Sequence, residues 1–122
     1  MQQFMDAIVK PAPAEGLELR RVPVPVPGPG EVLIKVHKTA ICGTDVHIYK
    51  WNEWSSQHVH PPQIIGHEYV GEIAALGAGV TGLHLGQRVS GEGHITCGRC
   101  RNCHSGNIQW CKDHVGVGVD RD

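Results

Sequence analysis

Four cysteines crowded into one short stretch constrain the fold of this chain more than any other feature. Cys97, Cys100, Cys103 and Cys111 form the pattern C-x2-C-x2-C-x7-C. Two C-x2-C steps allow a tight turn to direct successive sulfur atoms to one point, and a fourth cysteine then completes a tetrahedron. Four thiolates leave zinc no open position, so the spacing predicts a structural zinc site in a lobe over residues 94–114.

Other uses of these cysteines stay open at this point. Runs of C-x2-C-x2-C also hold iron–sulfur clusters, although the ferredoxin-type run continues with x3-C-Pro, which this chain lacks. Free or redox-active thiols are a further alternative. The chain has 5 cysteines, and an odd count without a visible secretory signal argues against a disulfide framework.

Glycine and proline punctuate the rest of the chain. The 122 residues include 16 glycines and 8 prolines, which favours short strands joined by turns over long helices. Spaced prolines predict a stiff, extended connector over residues 23–30. The expected fold is mainly β, a partly open β-barrel with short helices and a zinc-binding loop. The predicted strands cover residues 4–10, 17–22, 31–40, 64–76 and the region around 88–90, and another begins within 115–119. The 64–76 segment is expected to be broken at Gly66 and Gly71.

The segment 31–40 carries the clearest strand pattern. Val32, Ile34 and Val36 alternate with Lys35 and His37, which predicts a strand buried on one face and exposed on the other.

A second group of candidate metal ligands lies upstream of the cysteine cluster. Cys42 is followed 25 positions later by His67 and then Glu68. A thiolate, an imidazole and a carboxylate are ligands of catalytic zinc, which acts as a Lewis acid on a bound alcohol. Thr44 and His47 follow Cys42 closely, and a hydroxyl passing protons to an imidazole is a plausible relay.

Each of these residues also has an ordinary structural interpretation. A lone cysteine is more often a small buried hydrophobic residue than a ligand. A histidine beside a glycine is often only hydrogen-bonded, and Thr44 or Asp45 can cap a short helix that begins here.

Charge and hydropathy exclude several classes of partner. The formal net charge is -1, and no basic stripe interleaved with aromatic residues is present, so we expect no nucleic-acid partner. No apolar stretch approaches the roughly 20 residues of a membrane helix. Residues 1–6 have neither a basic start nor an apolar core, so we expect a cytoplasmic protein without a signal peptide.

The spacing of glycines around the upstream ligands resembles a known family. Gly66-His67-Glu68-x2-Gly71-x5-Gly77-x2-Val80 is similar to the zinc signature of the medium-chain alcohol dehydrogenases. The turn at 42–45 and the cysteine cluster lie where that family carries them, and the resemblance runs from about residue 7 to the end.

The resemblance implies a GroES-like catalytic domain with two zinc ions per chain. Cys42, His67 and Glu68 would bind the catalytic zinc, and Thr44 and His47 would relay the proton. The structural zinc would be held by Cys97, Cys100, Cys103 and Cys111.

It also implies a substrate and a cofactor. Segments 39–54 and 89–103 are similar to members that oxidise the 3-hydroxyl of L-threonine to 2-amino-3-oxobutanoate with NAD. Polyol dehydrogenases of the sorbitol or butanediol type share much of this frame and are the alternative. Trp51 and Trp54 either line the substrate pocket or hold their own loop in place. Full-length members are homo-oligomers, so we expect the same of the full-length protein.

In this family a Rossmann-type cofactor domain follows, and residues 1–122 contain no G-x-G-x-x-G. We therefore interpret 1–122 as a truncated GroES-like domain without its cofactor domain, and we expect no hydride transfer by this chain alone. A stand-alone zinc-binding interaction module and a co-chaperonin subunit are the alternatives from other classes.

Overall fold

The computed structural model describes residues 3–122, and most of their regular structure is short strands. None of the helices in this range is long and apolar enough to cross a bilayer. The mainly β fold with short helices is therefore confirmed. Within the described range the elements are β1 (Phe4–Lys10), β2 (Glu18–Pro23), β3 (Val32–Ala40), α1 (Gly43–Lys50), α2 (Glu53–His58), β4 (Gln63–Ile64), β5 (Glu68–Leu76), β6 (Arg88–Ser90), β7 (His94–Ile95), α3 (Arg101–His104), a 3-10 turn (Ile108–Trp110) and β8 (Val115–Gly116).

The strands form three small antiparallel sheets. Their orders are β2-β1-β4, β3-β5-β6 and β7-β8. Over residues 3–122 these sheets do not close into a barrel, in agreement with the partly open arrangement expected from the sequence.

The segment 64–76 is interrupted once, at Gly66 as predicted, whereas the interruption predicted at Gly71 is wrong. Gly66 has a φ of 110°, a left-handed conformation that interrupts the strand between β4 and β5. Gly71, by contrast, lies inside β5. A Cβ atom at Gly71 would stand 2.2 Å from the carbonyl oxygen of Lys35, so the glycine permits the close approach of β3 to β5.

The regular alternation predicted for β3 is wrong. Val36 is 53% exposed, and the strand is half-buried only over its first three residues. The register against β5 shifts between Leu33 and Ile34 and again between Val36 and Lys38. Each irregularity adds a residue on one strand and rotates the following side chains, so a period of two no longer sorts the faces.

Helix α1 begins differently from the prediction. Cys42 is the N-cap residue, and Thr44 and Asp45 lie inside the first turn. The Asp45 carboxylate nevertheless caps from within, because its Oδ2 atom accepts the backbone N–H of Cys42 at 3.0 Å.

A buried lysine stabilises the C-terminal end of α1. Lys10 is fully buried, and its ammonium donates to the carbonyl oxygens of Ala14, Gly16 and Tyr49. Its Nζ atom also lies 5.2 Å from the ring centroid of Trp51, which ends the helix in a left-handed conformation. Burial lowers the pKa of Lys10 below its ordinary 10.5, against an opposing effect of Glu15.

The cysteine lobe is more regular than the loop that the sequence suggested. It contains α3 and the 3-10 turn. The strand predicted within 115–119 is only two residues long. It stops because the chain turns back, with the Gly116 N–H donating to Asp120 Oδ2 at 2.7 Å.

Candidate metal centres

The four sulfur atoms of the cysteine cluster converge. Cys103 Sγ lies 4.0 Å from Cys97 Sγ and 3.6 Å from Cys100 Sγ. All four sulfurs, including that of Cys111, lie within 4.8 Å of one another. This spacing suits four thiolates around one tetrahedral ion.

Local turns bring the sulfurs together. Cys100 is the N-cap of α3 and Cys103 lies in that helix, while Cys111 follows the 3-10 turn. The Cys100 N–H donates to Cys97 Sγ, and the Cys97 N–H donates to Cys111 Sγ, each at 3.3 Å. Such backbone donors favour sulfur in its thiolate form.

The protonation of the cluster is uneven. N–H groups of Cys103 and Lys112 lower the pKa of Cys100 to about 6. The pKa of Cys97 is lowered chiefly by the N–H of Arg99. Burial raises the pKa of Cys103 to about 11. Without a metal, negative charge therefore collects on one part of the cluster, while a four-thiolate site requires every proton to leave.

The upstream candidates also meet. Ligand atoms of Cys42, His67 and Glu68 lie within 4.8 Å of one another. Cys42 caps α1, His67 stands between β4 and β5, and Glu68 begins β5. Cys42 and His67 are half-buried and Glu68 is exposed, so the group faces outward on one side.

Sequence reasoning missed the part of Asp45 in this group. Asp45 as a residue is only 8% exposed, and its Oδ1 lies 4.0 Å from His67 Nδ1. Within the described residues neither atom has a hydrogen-bond partner. An imidazole whose Nδ1 faces a carboxylate is the usual surrounding of a metal-binding histidine, so these residues fit zinc. The sequence signal for this role is the acidic residue three positions after Cys42, a position that equally suits a helix cap.

The last described residues of the chain pack against the backbone that precedes His67. A Cβ atom at Gly118 would lie 2.2 Å from the carbonyl oxygen of Gly66. Nearby, Gln63 Nε2 donates to the Val119 carbonyl at 2.7 Å, and the Ile64 N–H donates to Asp122 Oδ1 at 2.8 Å. Residues 118–122 therefore hold the segment that presents His67.

The two relay candidates share helix α1. Thr44 Oγ1 lies 3.7 Å from Cys42 Sγ, so the hydroxyl stands beside one of the candidate metal ligands. His47 follows three positions later, a spacing that places both side chains on neighbouring parts of the helix surface. Its Nδ1 lies 2.7 Å from Asn52 Nδ2.

The two tryptophans make local contacts. Trp51 packs under the Lys10 ammonium, as described for the end of α1. Trp54 stacks on His58 with centroids 4.7 Å apart, and its ring lies tilted at 6.5 Å from His47. These contacts favour the interpretation that Trp51 holds its own loop in place. Trp54 lies next to His47, one of the two relay candidates.

Residues 28–121 match the family described as the alcohol dehydrogenase GroES-like domain. The chain belongs to this family. An L-threonine 3-dehydrogenase of Sinorhizobium fredii is 54% identical over 99% of the chain. The chain spans 35% of that relative's length.

Solved structures of alcohol dehydrogenases share the fold. An alcohol dehydrogenase of Escherichia coli in complex with NADH is 33% identical, with a TM-score of 0.87 over 99% of this chain and 34% of its own. A cobalt- and zinc-bound thermostable alcohol dehydrogenase of Pyrobaculum aerophilum is 29% identical, with a TM-score of 0.84 over 98% of this chain and 36% of its own.

Proposed function

We propose that this chain supplies the zinc-binding catalytic domain of a dehydrogenase that oxidises a secondary alcohol with NAD. The observation that carries the proposal is the convergence of Cys42 with the adjacent pair His67 and Glu68, which lies 25 positions further along the chain. A stand-alone zinc module would need only the cysteine lobe and gives no reason for this second group.

In this proposal Cys42, His67 and Glu68 hold one zinc ion. When bound, zinc supplies the Lewis acidity that lowers the pKa of the substrate hydroxyl. The Thr44 hydroxyl accepts the proton of the alcohol and passes its own proton toward His47. His47 is exposed and can release a proton to water. The Asp45 carboxylate orients His67 and balances positive charge.

The cysteine lobe has a different role. Cys97, Cys100, Cys103 and Cys111 hold a second zinc ion with no position left for substrate. This ion would stabilise the lobe, because the regular structure described over residues 94–114 is limited to β7, α3 and the 3-10 turn.

We propose L-threonine as the substrate and 2-amino-3-oxobutanoate as the product. NAD, when bound, would supply the acceptor for the hydride from C3 of threonine, and the hydroxyl proton would leave through Thr44 and His47. The 54% identity to an L-threonine 3-dehydrogenase supports this choice over a sorbitol- or butanediol-type polyol. The NAD site would lie in sequence beyond the third of the relative that this chain spans. Homo-oligomer formation and a cytoplasmic location stay predictions.

Metal content tests both sites at once. We would measure zinc per chain after gel filtration for the 122-residue protein and for Cys42→Ser and Cys103→Ser variants. The expected values are about two for the parent and about one for each variant. A value near one for both the parent and Cys42→Ser would show that the upstream group binds no zinc, and would favour the interaction-module alternative.

Activity is best tested in a chimera. Residues 2–122 would replace the matching part of the Sinorhizobium fredii enzyme, and NADH formation would be followed with L-threonine, sorbitol and 2,3-butanediol. We expect turnover with L-threonine, its loss to background in Cys42→Ser, and none from the 122-residue chain alone. A chimera that prefers a polyol would refute the threonine assignment and leave the dehydrogenase proposal standing.

A further inference from the structure

We propose that Asn52 is a positioning residue that selects the ring nitrogen through which His47 accepts a proton. The inference deepens the proposed function, since it rests on His47 taking part in the proton relay. Its first test, however, needs neither zinc nor activity.

The orientation of the Asn52 amide is fixed by its neighbours. Its Oδ1 accepts the backbone N–H of Ser55 at 3.0 Å and the Ser55 hydroxyl at 3.0 Å. A backbone N–H can only donate, so the atom facing it must be the amide oxygen. The NH2 group is therefore the atom 2.7 Å from His47 Nδ1.

This orientation fixes the tautomer of His47. An amide NH2 offers only donors, so Nδ1 of the imidazole must be an acceptor. A neutral imidazole with an unprotonated Nδ1 carries its proton on Nε2. Within the described residues His47 takes part in no ion pair, and the Asn52 N–H also donates to the His47 carbonyl at 3.4 Å. Asn52 is thus the polar partner of this ring.

The proton path follows from this tautomer. A proton reaching neutral His47 forms a new N–H bond at Nδ1, and the hydrogen bond from Asn52 breaks because both groups are then donors. The imidazolium next loses its Nε2 proton to water. Exchange of the remaining proton through solvent restores the starting tautomer and the Asn52 contact. In this cycle the incoming proton binds at Nδ1, and the first proton lost to water leaves from Nε2.

A purely structural role for Asn52 is the competing explanation. Asn52 is the N-cap of α2, so its removal could act through that helix alone. Two substitutions separate the roles. Asn52→Asp keeps an oxygen for Ser55 and turns the donor facing His47 into an acceptor. Asn52→Ser keeps a good cap but is too short to maintain the contact to His47.

The ring nitrogens report the outcome directly. We would record long-range proton–nitrogen correlation spectra of the 15N-labelled chain at a pH where His47 is neutral, assigned with His47→Gln. We expect unprotonated Nδ1 in the parent, protonated Nδ1 in Asn52→Asp, and a mixture of tautomers in Asn52→Ser, with unchanged far-UV circular dichroism. Protonated Nε2 in all three proteins would overturn the proposal.

The same substitutions in the chimera test the consequence for catalysis. Asn52→Asp should move the acid limb of the kcat profile to higher pH, because the introduced carboxylate favours the charged ring. Asn52→Ser should move it much less. If Asn52→Asp places the neutral proton of His47 on Nδ1 but leaves the pH profile of kcat unchanged, Asn52 has no part in the relay. Complete loss of activity in the unsubstituted chimera would instead count against the proposed function, and the spectra would still decide the tautomer.

Discussion

His67 Nδ1 lies 4.0 Å from Asp45 Oδ1, and neither buried atom has another partner within residues 3–122. The second oxygen of the same carboxylate accepts the N–H of Cys42. Asp45 therefore links a histidine between two strands to the cysteine that begins helix α1. A single carboxylate thus faces the imidazole with one oxygen and holds the backbone of the cysteine with the other.

Asp45→Asn should weaken zinc binding at the upstream site by about 10- to 100-fold. The amide keeps an oxygen for the Cys42 N–H but loses the charge that supports His67. Affinity would be measured by chelator competition, with the cysteine lobe already loaded. The matched control is Asp6→Asn on the exposed part of β1, which should leave affinity unchanged. An equal loss in both variants would contradict the orienting role.

Cys100 should react fastest with iodoacetamide in the metal-free chain at pH 7. Its pKa of about 6 makes it mostly thiolate, whereas Cys103, at about 11, stays protonated. Peptide mass spectrometry of a time course would give the order. Zinc loading should protect both residues, and alkylation of Cys103 before Cys100 would show that the uneven protonation is wrong.

Lys10→Met should lower the free energy of unfolding by about 1–3 kcal/mol. Methionine fills similar space but leaves the carbonyl oxygens of Ala14 and Gly16 without the ammonium that satisfies them. Denaturant titration would measure the loss, with the exposed Lys38→Met as control. Equal stability of the parent and Lys10→Met would mean that the buried ammonium is dispensable.

Lys10 also predicts a dependence of stability on pH. Its folded-state pKa lies below the ordinary 10.5, so between these values the unfolded chain binds more protons than the folded chain. The free energy of unfolding contributed by Lys10 should therefore rise with pH through that alkaline window and be flat below it. Parallel titrations of the parent and Lys10→Met would isolate this slope, and a falling difference would contradict the sign.

Gly71→Ala should destabilise the β3–β5 pairing by about 1–3 kcal/mol. The added methyl group would stand 2.2 Å from the Lys35 carbonyl oxygen, which belongs to the backbone and cannot move aside cheaply. Gly43→Ala is the matched control, because its Cβ would meet nothing within 4 Å. Similar unfolding midpoints for the two variants would refute this account of Gly71.

Local chemistry made much of the fold predictable. The bounds of β1 and β6 follow from short apolar runs between turn residues, and those of β2 differ by one residue. The exposure of Val36 was not predictable, because it depends on register shifts between β3 and β5. Such shifts arise from pairing between distant segments, which periodicity along one strand does not contain.

The same distinction applies to the candidate sites. The cysteine spacing indicated a local cluster, and the family resemblance joined Cys42 to His67 and Glu68; the structure brings both groups together. The contact of Asp45 with His67 and that of Asn52 with His47 went unpredicted. Both depend on side-chain direction after folding, and acidic or amide residues near a helix start are explained equally well as caps.

The contact between Gly118 and Gly66 has a consequence for the order of events during synthesis. The cysteine lobe draws its four ligands from residues 97–111, so it can take up metal as soon as that short stretch leaves the ribosome. The segment that presents His67 can make its contact with residue 118 only after that residue is synthesised, 52 positions after residue 66. Under the proposed function a nascent chain would therefore acquire its two ions in sequence, with the ion of the cysteine lobe first, although Cys42, His67 and Glu68 are translated earlier.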